Sequence, residues 1–208
     1  MANLMDLLLG GSNAGSGSGT GDLISMITKQ VVGSNDGKTQ LAAQGILTTL
    51  MSGMAKNAAT PEGASSLLSA LDRDHDGSVL DDVMGLVTGA NQSKATNGSG
   101  IIKHVLGNQS DNVFGNIAKA SGLDISNVAG MATKLAPLLM GVLGKQRRNN
   151  ALDANNIGDF LKNSAQEHQQ KVPGVDIFSR LLDQDGDGQI MDDIANIGMK
   201  MFSNFLKK

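Results

Sequence analysis

The chain has 208 residues, 40% of them hydrophobic, and a formal net charge of −3. These values are typical of a folded globular protein, and they argue against a disordered chain or a basic nucleic-acid-binding protein. We therefore expect no nucleic-acid partner. The chain has 11 Met and 5 Phe but no Tyr, Trp or Cys. So few aromatic rings favour packed helices over a β-sandwich, and the lack of cysteine excludes disulfide and thiol chemistry.

The N-terminal segment, residues 1–21, is predicted to be a small apolar head on a Gly/Ser tether, GGSNAGSGSGTG. Asp6 interrupts the apolar head and no basic residue precedes it, so the pattern does not predict a secretory signal. The most apolar window, residues 135–143, contains Pro137 and Gly141 and falls short of the roughly 20 residues that span a bilayer. We expect a soluble, cytoplasmic protein by default, and export without a cleaved signal stays open as an alternative.

The first helical unit is predicted over residues 22–88. Apolar residues recur at helical spacing over residues 22–32 and 38–56, which predicts two helices with one buried face each. Thr60 and Pro61 have the residue types of an N-cap and a first helical position, so a third helix is expected to start there and lead into an acidic loop.

A Gly/Ser/Asn-rich linker, residues 89–100, separates this unit from a second one at residues 101–208. Residues 113–117 (VFGNI) match residues 23–27 (LISMI), and residues 135–143 match residues 47–55. The second unit carries a helical insertion, residues 151–171, before its own acidic loop. The sequence therefore predicts an all-α helical bundle made of two repeated helices-plus-acidic-loop units.

The two acidic loops are the residues whose chemistry is clearest. Residues 71–82 read LDRDHDGSVLDD, and residues 182–193 read LDQDGDGQIMDD. Numbered from the first aspartate, each loop has aspartates at positions 1, 3, 5, 10 and 11 and a glycine at position 6. Carboxylates at alternate positions are expected to converge on one hard cation, while the glycine allows a sharp turn. The predicted Ca²⁺ ligands are Asp72, Asp74, Asp76, Ser78 (through its carbonyl), Asp81 and Asp82 in the first loop, and Asp183, Asp185, Asp187, Gln189 (through its carbonyl), Asp192 and Asp193 in the second.

The loops resemble those of the EF-hand superfamily but depart from them at position 12. Val83 and Ile194 stand where an EF-hand has a bidentate glutamate, so the aspartates at positions 10 and 11 would have to close the site or cap the next helix. Which of the pair binds stays open. His75, at position 4, is expected to point outward. The alternative is a solvated acidic turn that binds nothing. Ten of the 20 acidic residues lie in these two loops, and such crowding favours about two bound Ca²⁺ ions per chain.

Small-residue and leucine patterns occur at residues 122–129 (GLDISNVA) and 135–145 (LAPLLMGVLGK), with a weaker echo at residues 43–56, beside the acidic stretch 70–82. On these residues the helical part resembles the YidB-like bacterial family, catalogued as domain of unknown function 937. The resemblance implies an all-α fold and implies no activity and no catalytic residue.

These patterns favour a non-enzymatic calcium-binding helical protein, in which Ca²⁺ fixes helix geometry or an assembly interface. No nucleophile elbow, phosphate-binding loop or zinc motif is present, so His104 and His168 are interpreted as ordinary helix residues. Two alternatives remain. One is a small hydrolase-type enzyme, and the other is a calcium-regulated adaptor that binds either a partner or a membrane. A protein partner or a homo-oligomer is possible in this scheme, whereas membrane binding through the basic C-terminal residues is disfavoured. Several methionines are expected to fill the core rather than line a partner-binding groove.

Overall fold

The computed structural model describes residues 20–80, 83–88, 90, 96–149 and 151–171. Residues 1–19, which hold most of the predicted tether, lie outside this part. Residues 172–208, which hold the second acidic loop, also lie outside it, as do Asp81 and Asp82 of the first loop.

Helices account for nearly all of the described chain. They are α1 (Thr20–Val32), α2 (Gly37–Asn57), α3 (Pro61–Asp74), α4 (Val83–Thr88), α5 (Gly98–Leu106), α6 (Ser110–Ser121), α7 (Ile125–Arg148) and α8 (Ile157–Lys171), with 3₁₀ turns at Ser78–Leu80 and Gly107–Gln109. The described residues contain no β-strand. The all-α bundle predicted from the sequence is therefore confirmed.

The helix boundaries follow the capping residues closely. The Thr60 hydroxyl accepts a hydrogen bond from the Gly63 N–H at 3.1 Å, and Pro61 occupies the first turn of α3 as predicted. Three boundaries differ from the sequence prediction. Helix α1 starts inside the predicted tether, α5 starts at Gly98 inside the predicted linker 89–100, and α8 starts six residues into the predicted insertion. Gly98 can begin a helix because the Asn97 side chain caps it by accepting from the Gly100 N–H.

The internal repeat is visible in the backbone. Helices α1 and α6 both end on a left-handed glycine, Gly33 (φ +79°) and Gly122 (φ +72°). Helices α2 and α7 are both preceded by an aspartate at the N-cap, Asp36 and Asp124. Each half therefore contains a short helix, a glycine-terminated turn and a long helix, and Asp124 lies 88 residues after Asp36 just as Leu135 lies 88 after Leu47.

The two halves exchange their packing partners. Helices α2 and α7 contact each other at the centre, α1 packs on α7, and α6 packs on α2. The third helix of the first half, α3, also crosses to α7, and α8 crosses to α2. Each long helix therefore packs on short helices of both halves, and the contacts that cross between the halves have the form of a pseudo-twofold pair.

The core is aliphatic and sulfur-rich. Ile46, Leu47, Leu50, Met51 and Met54 of α2 are at most 1% exposed. The counterparts of the last four in α7 are Leu135, Leu138, Leu139 and Val142, all buried as well, and Leu143 is buried beside them. Met131 and Met140 are also buried, which confirms that the methionines of the two long helices fill a core poor in aromatic residues.

Helix α7 is the one described helix that is long and apolar enough to cross a membrane by length and composition. Its 24 residues continue without interruption through Pro137. The helix is therefore longer than the apolar window at residues 135–143 indicated. Within its most apolar 18-residue stretch, 61% is buried inside the bundle. Packing against α1, α2, α3, α5 and α6 accounts for that burial, and the fold is consistent with a soluble protein.

Candidate functional site

The first acidic loop begins inside a helix. Helix α3 continues to Asp74, so Asp72 and Asp74 have helical backbone rather than the curled loop expected from the sequence. Side chains two positions apart on a helix point to different faces. The expected convergence of Asp72, Asp74 and Asp76 on one point is therefore not found in this conformation.

Asp72 instead pairs with an arginine on the other half of the molecule. Arg147, in the last turn of α7, donates from Nε to Oδ1 of Asp72 at 3.1 Å and from Nη2 to Oδ2 at 3.2 Å. The same guanidinium donates from Nη1 to the carbonyl of Leu152 at 2.9 Å. A planar guanidinium held at three points fixes α3 against α7 more firmly than a single-contact surface ion pair does.

Asp74 and Asp76 also have cationic neighbours. Arg73 lies 2.7 Å from Asp74, and Arg148 lies 3.9 Å from Asp76. The Ser78 N–H donates to Asp76 at 3.0 Å. This backbone hydrogen bond lowers the pKa of Asp76 below its usual value, and the charge of Arg148 acts in the same direction.

The backbone between His75 and Gly77 lies directly on α7. An added Cβ at Gly144 would come within 1.7 Å of the His75 carbonyl oxygen, so only glycine permits this approach. Gly77 has φ +96°, and a Cβ there would meet the Gly141 carbonyl at 3.2 Å. His75 itself is only 7% exposed, so the expectation that it points outward is wrong. The contact with α7 turns this residue inward.

The remaining predicted ligands are placed as follows. Ser78 is exposed and starts the 3₁₀ turn, whereas Asp81, Asp82 and all six residues of the second loop lie outside the described part of the chain. Within the described ranges, no group of three or more His, Asp or Glu side chains is arranged to hold a metal ion.

Sequence reasoning missed the basic end of α7. Lys145, Arg147 and Arg148 occupy its last turn, where positive charge complements the helix dipole. The helix dipole is enough to explain basic residues at this position in the sequence. No residue near Arg147 indicates a partner 75 residues away. No signal in the sequence indicates the pair, because it depends on α3 packing against α7, which helical periodicity does not predict.

These features define a class: an all-α protein of two exchanged halves, with an acidic loop fastened to the basic end of a central helix. Residues 16–146 match the family of bacterial proteins of unknown function designated DUF937, and the chain belongs to that family. The matched residues include α1 to α6, most of α7 and the first acidic loop. No curated protein and no solved structure matches the chain.

Proposed function

We propose that the protein is a non-enzymatic calcium-binding protein, in which Ca²⁺ at the acidic loops fixes the helices that enter and leave them. The supporting observation is the duplicated loop, with aspartates at positions 1, 3, 5, 10 and 11 and glycine at position 6 in both copies. Two features of the first loop agree with the proposal. Asp72 is exposed, and Gly77 has the left-handed backbone that a sharp turn at position 6 requires.

The arginines of α7 have a definite role in this proposal. They neutralise Asp72 and Asp76 when no cation is bound, and a Ca²⁺ ion would compete with them for the same carboxylates. Asp72 and Asp74 lie in the last turn of α3 and point to different faces, so ion binding requires that turn to unwind. Calcium at the first loop would therefore replace Arg147 as the group that holds Asp72 and fixes the end of α3.

Calcium titration calorimetry on chelator-treated full-length protein, with a thermal melt at each saturation, tests the proposal. We expect about two ions per chain and a melting temperature that rises with saturation, because a ligand that binds only the folded state stabilises it. Absence of binding heat together with an unchanged melting temperature would mean that both loops are solvated acidic turns that bind no calcium.

The competition with arginine gives a sharper test. Arg147→Ala removes the bidentate partner of Asp72, so we expect tighter Ca²⁺ binding at the first loop. Lys119→Ala removes an equal charge from an exposed position on α6 and is the matched control. Equal changes in both variants would mean that net charge, rather than competition at Asp72, sets the affinity.

A further inference from the structure

A groove of about 490 Å³ lies where the C-terminal end of α2, the first turn of α3 and helix α8 meet. Its lining is dominated by small side chains, including Ser52, Ala55 and Ala59 of α2 and the residues just after it. Lys56 and Lys162 also line the groove, together with Asp159. In the described part of the chain, nothing covers this surface.

The pseudo-twofold repeat relates the groove to a surface that is covered. Counting 88 residues forward, Ser52, Ala55, Lys56 and Ala59 correspond to Met140, Leu143, Gly144 and Arg147 of α7. Met140 is 4% exposed and Leu143 is fully buried, whereas Ser52 and Ala55 are half-buried and Ala59 is exposed. The difference arises because α3 and residues 75–77 lie on α7, through Gly144 and the Arg147–Asp72 pair.

The chain has a second copy of the segment that covers α7. Residues 178–188 (FSRLLDQDGDG) correspond to residues 67–77 (LLSALDRDHDG), which form the end of α3 and the first acidic loop. The closest contact differs between the copies. In the first copy the His75 carbonyl lies on Gly144 and Asp72 pairs with Arg147, whereas Lys56 and Ala59 are the corresponding residues of the first half. The second copy would therefore meet the charge of Lys56 where the first copy meets a glycine.

The helix that precedes the second copy in the chain lines the groove. Gln166 and Gln169, near the end of α8, line it, and Asp183 follows Gln169 by 14 residues. An extended chain covers about 3.3 Å per residue, so the segment is long enough to reach any part of the groove. Its aspartates would meet Lys56 and Lys162 there, and the single acidic residue in the groove lining, Asp159, opposes that attraction only in part.

We propose that residues 172–193 dock in this groove, on the face of α2 that corresponds to the face of α7 covered by α3 and the first acidic loop. The second acidic loop would then be held at the end of α2, with its aspartates beside Lys56 and Lys162. This docking is a proposal separate from calcium binding, because burial of apolar side chains and attraction to Lys56 and Lys162 require no metal ion.

Single cysteines test the docking, because the chain has none of its own. In the full-length chain, Ala59→Cys and, separately, Ser65→Cys place a thiol on the groove lining, and Gln40→Cys places one at the other end of α2, about 28 Å away. The rate of reaction with a bulky thiol reagent is measured in excess chelator. We expect Ala59→Cys and Ser65→Cys to be protected relative to Gln40→Cys.

Substitutions in the docking segment provide the decisive comparison. Phe178→Ser with Leu182→Ser changes the residues that correspond to Leu67 and Leu71, and Leu71 is fully buried in the first copy. We expect this pair to raise the rates at both groove cysteines by about tenfold or more and to leave Gln40→Cys unchanged. Arg180→Ser with Gln184→Ser is the matched control and should change none of the rates. Groove cysteines that react equally fast with and without Phe178 and Leu182 would overturn the docking. Calcium titration is a separate measurement, so failure of the calcium proposal would leave this result standing.

Discussion

At the scale of single residues, glycines decide how closely the acidic loop approaches α7. Gly144 touches the His75 carbonyl so closely that any side chain would have to displace backbone, which cannot yield as a flexible side chain does. Gly115 of α6 lies in an ordinary helical position, and a Cβ there would meet only the Ile125 Cδ1 atom, at 3.9 Å. A methyl group therefore has no room at Gly144 but fits at Gly115.

Alanine substitutions at these glycines should therefore have opposite effects on stability. We expect Gly144→Ala to lower the free energy of unfolding by about 1–3 kcal/mol, as typical overpacking does. Gly115→Ala should raise it by about 0.5–1 kcal/mol, because alanine loses less conformational entropy in a helix. Urea unfolding of both variants checks the prediction. Loss of stability in both would show that helix α6 is packed more tightly at Gly115 than the structure indicates.

Asp36, at the N-terminus of α2, should contribute a pH-dependent part of the stability. It accepts hydrogen bonds from the Thr39 N–H at 2.9 Å and the Thr39 hydroxyl at 2.8 Å, and these lower the pKa of the Asp36 carboxyl below its usual value. A carboxyl with a lowered pKa in the folded state stabilises the fold above its unfolded pKa, and that contribution is lost as the pH falls through the folded value.

Asp36→Asn keeps an acceptor at the cap but removes the charge. We expect the parent protein to be more stable than this variant at pH 7, with a difference that shrinks as the pH falls below about 4. Urea unfolding at a series of pH values between about 2 and 7 measures it. A difference that stays constant with pH would assign the role of Asp36 to the hydrogen bond alone.

The sequence predicts the local contacts of single residues better than their long-range contacts. Thr60 and Pro61 were identified as the start of a helix because capping depends on neighbours only three positions away. The partners of Asp72 and Asp76 were not, because an ion pair across 75 residues depends on how the two halves pack. The inward position of His75 was missed for the same reason.

At the scale of secondary-structure elements, α7 tolerates a proline by using a neighbouring helix. Pro137 has no N–H to donate to the Thr133 carbonyl one turn earlier. Gly98, at the start of α5, approaches that carbonyl so closely that an added Cβ would lie 1.8 Å from the oxygen. A Cα hydrogen of Gly98 therefore points at the carbonyl that the proline leaves without its helical partner. In the sequence, Pro137 indicated an interruption of the helix. The helix continues through it, and α5 packs against α7 at this point.

This contact makes Gly98 sensitive to substitution. Gly98→Ala should lower the free energy of unfolding by about 1–3 kcal/mol, because the methyl group would separate α5 from α7. Ser99→Ala, at the exposed neighbouring position, should change stability by less than about 0.5 kcal/mol. Thermal melts of the two variants side by side decide the matter. Comparable stability in both would mean that α5 can shift along α7 at little cost.

At the scale of the whole molecule, the sequence predicted the repeated order of helices better than it predicted which helices pack together. Two matches, residues 23–27 with 113–117 and 47–55 with 135–143, correctly indicated a repeated helix pair. The exchange of packing partners between the halves was not predictable, because helical periodicity shows which face is buried but not which helix covers it. The basic end of α7 beside the first acidic loop is a result of that exchange.

Calcium should couple to the stability of the whole chain if the two loops bind it. Asp183→Ala is expected to remove one site and to lower the melting temperature only when Ca²⁺ is present. Asp72→Ala is expected to remove the other site and, because it also breaks the pair with Arg147, to cause a smaller loss in chelator. At a free Ca²⁺ concentration about 100 times the dissociation constant, each lost site should lower the unfolding free energy by about 2.7 kcal/mol. Melts in excess calcium and in excess chelator separate the cases. An equal loss in chelator would mean that the aspartate supports the metal-free fold, which for Asp72 would be through Arg147.

The exchanged packing also bears on how such a chain could arise. A half consisting of α1, α2 and α3 would leave the apolar residues of α2 without the short helix that covers them, since that helix comes from the other half. Two identical copies of the half could cover one another through the same contacts, as a symmetric dimer. The present chain has the form of such a dimer joined end to end. Joining allows the two halves to differ, and Arg147 and Arg148 stand where the first half has Ala59 and Thr60.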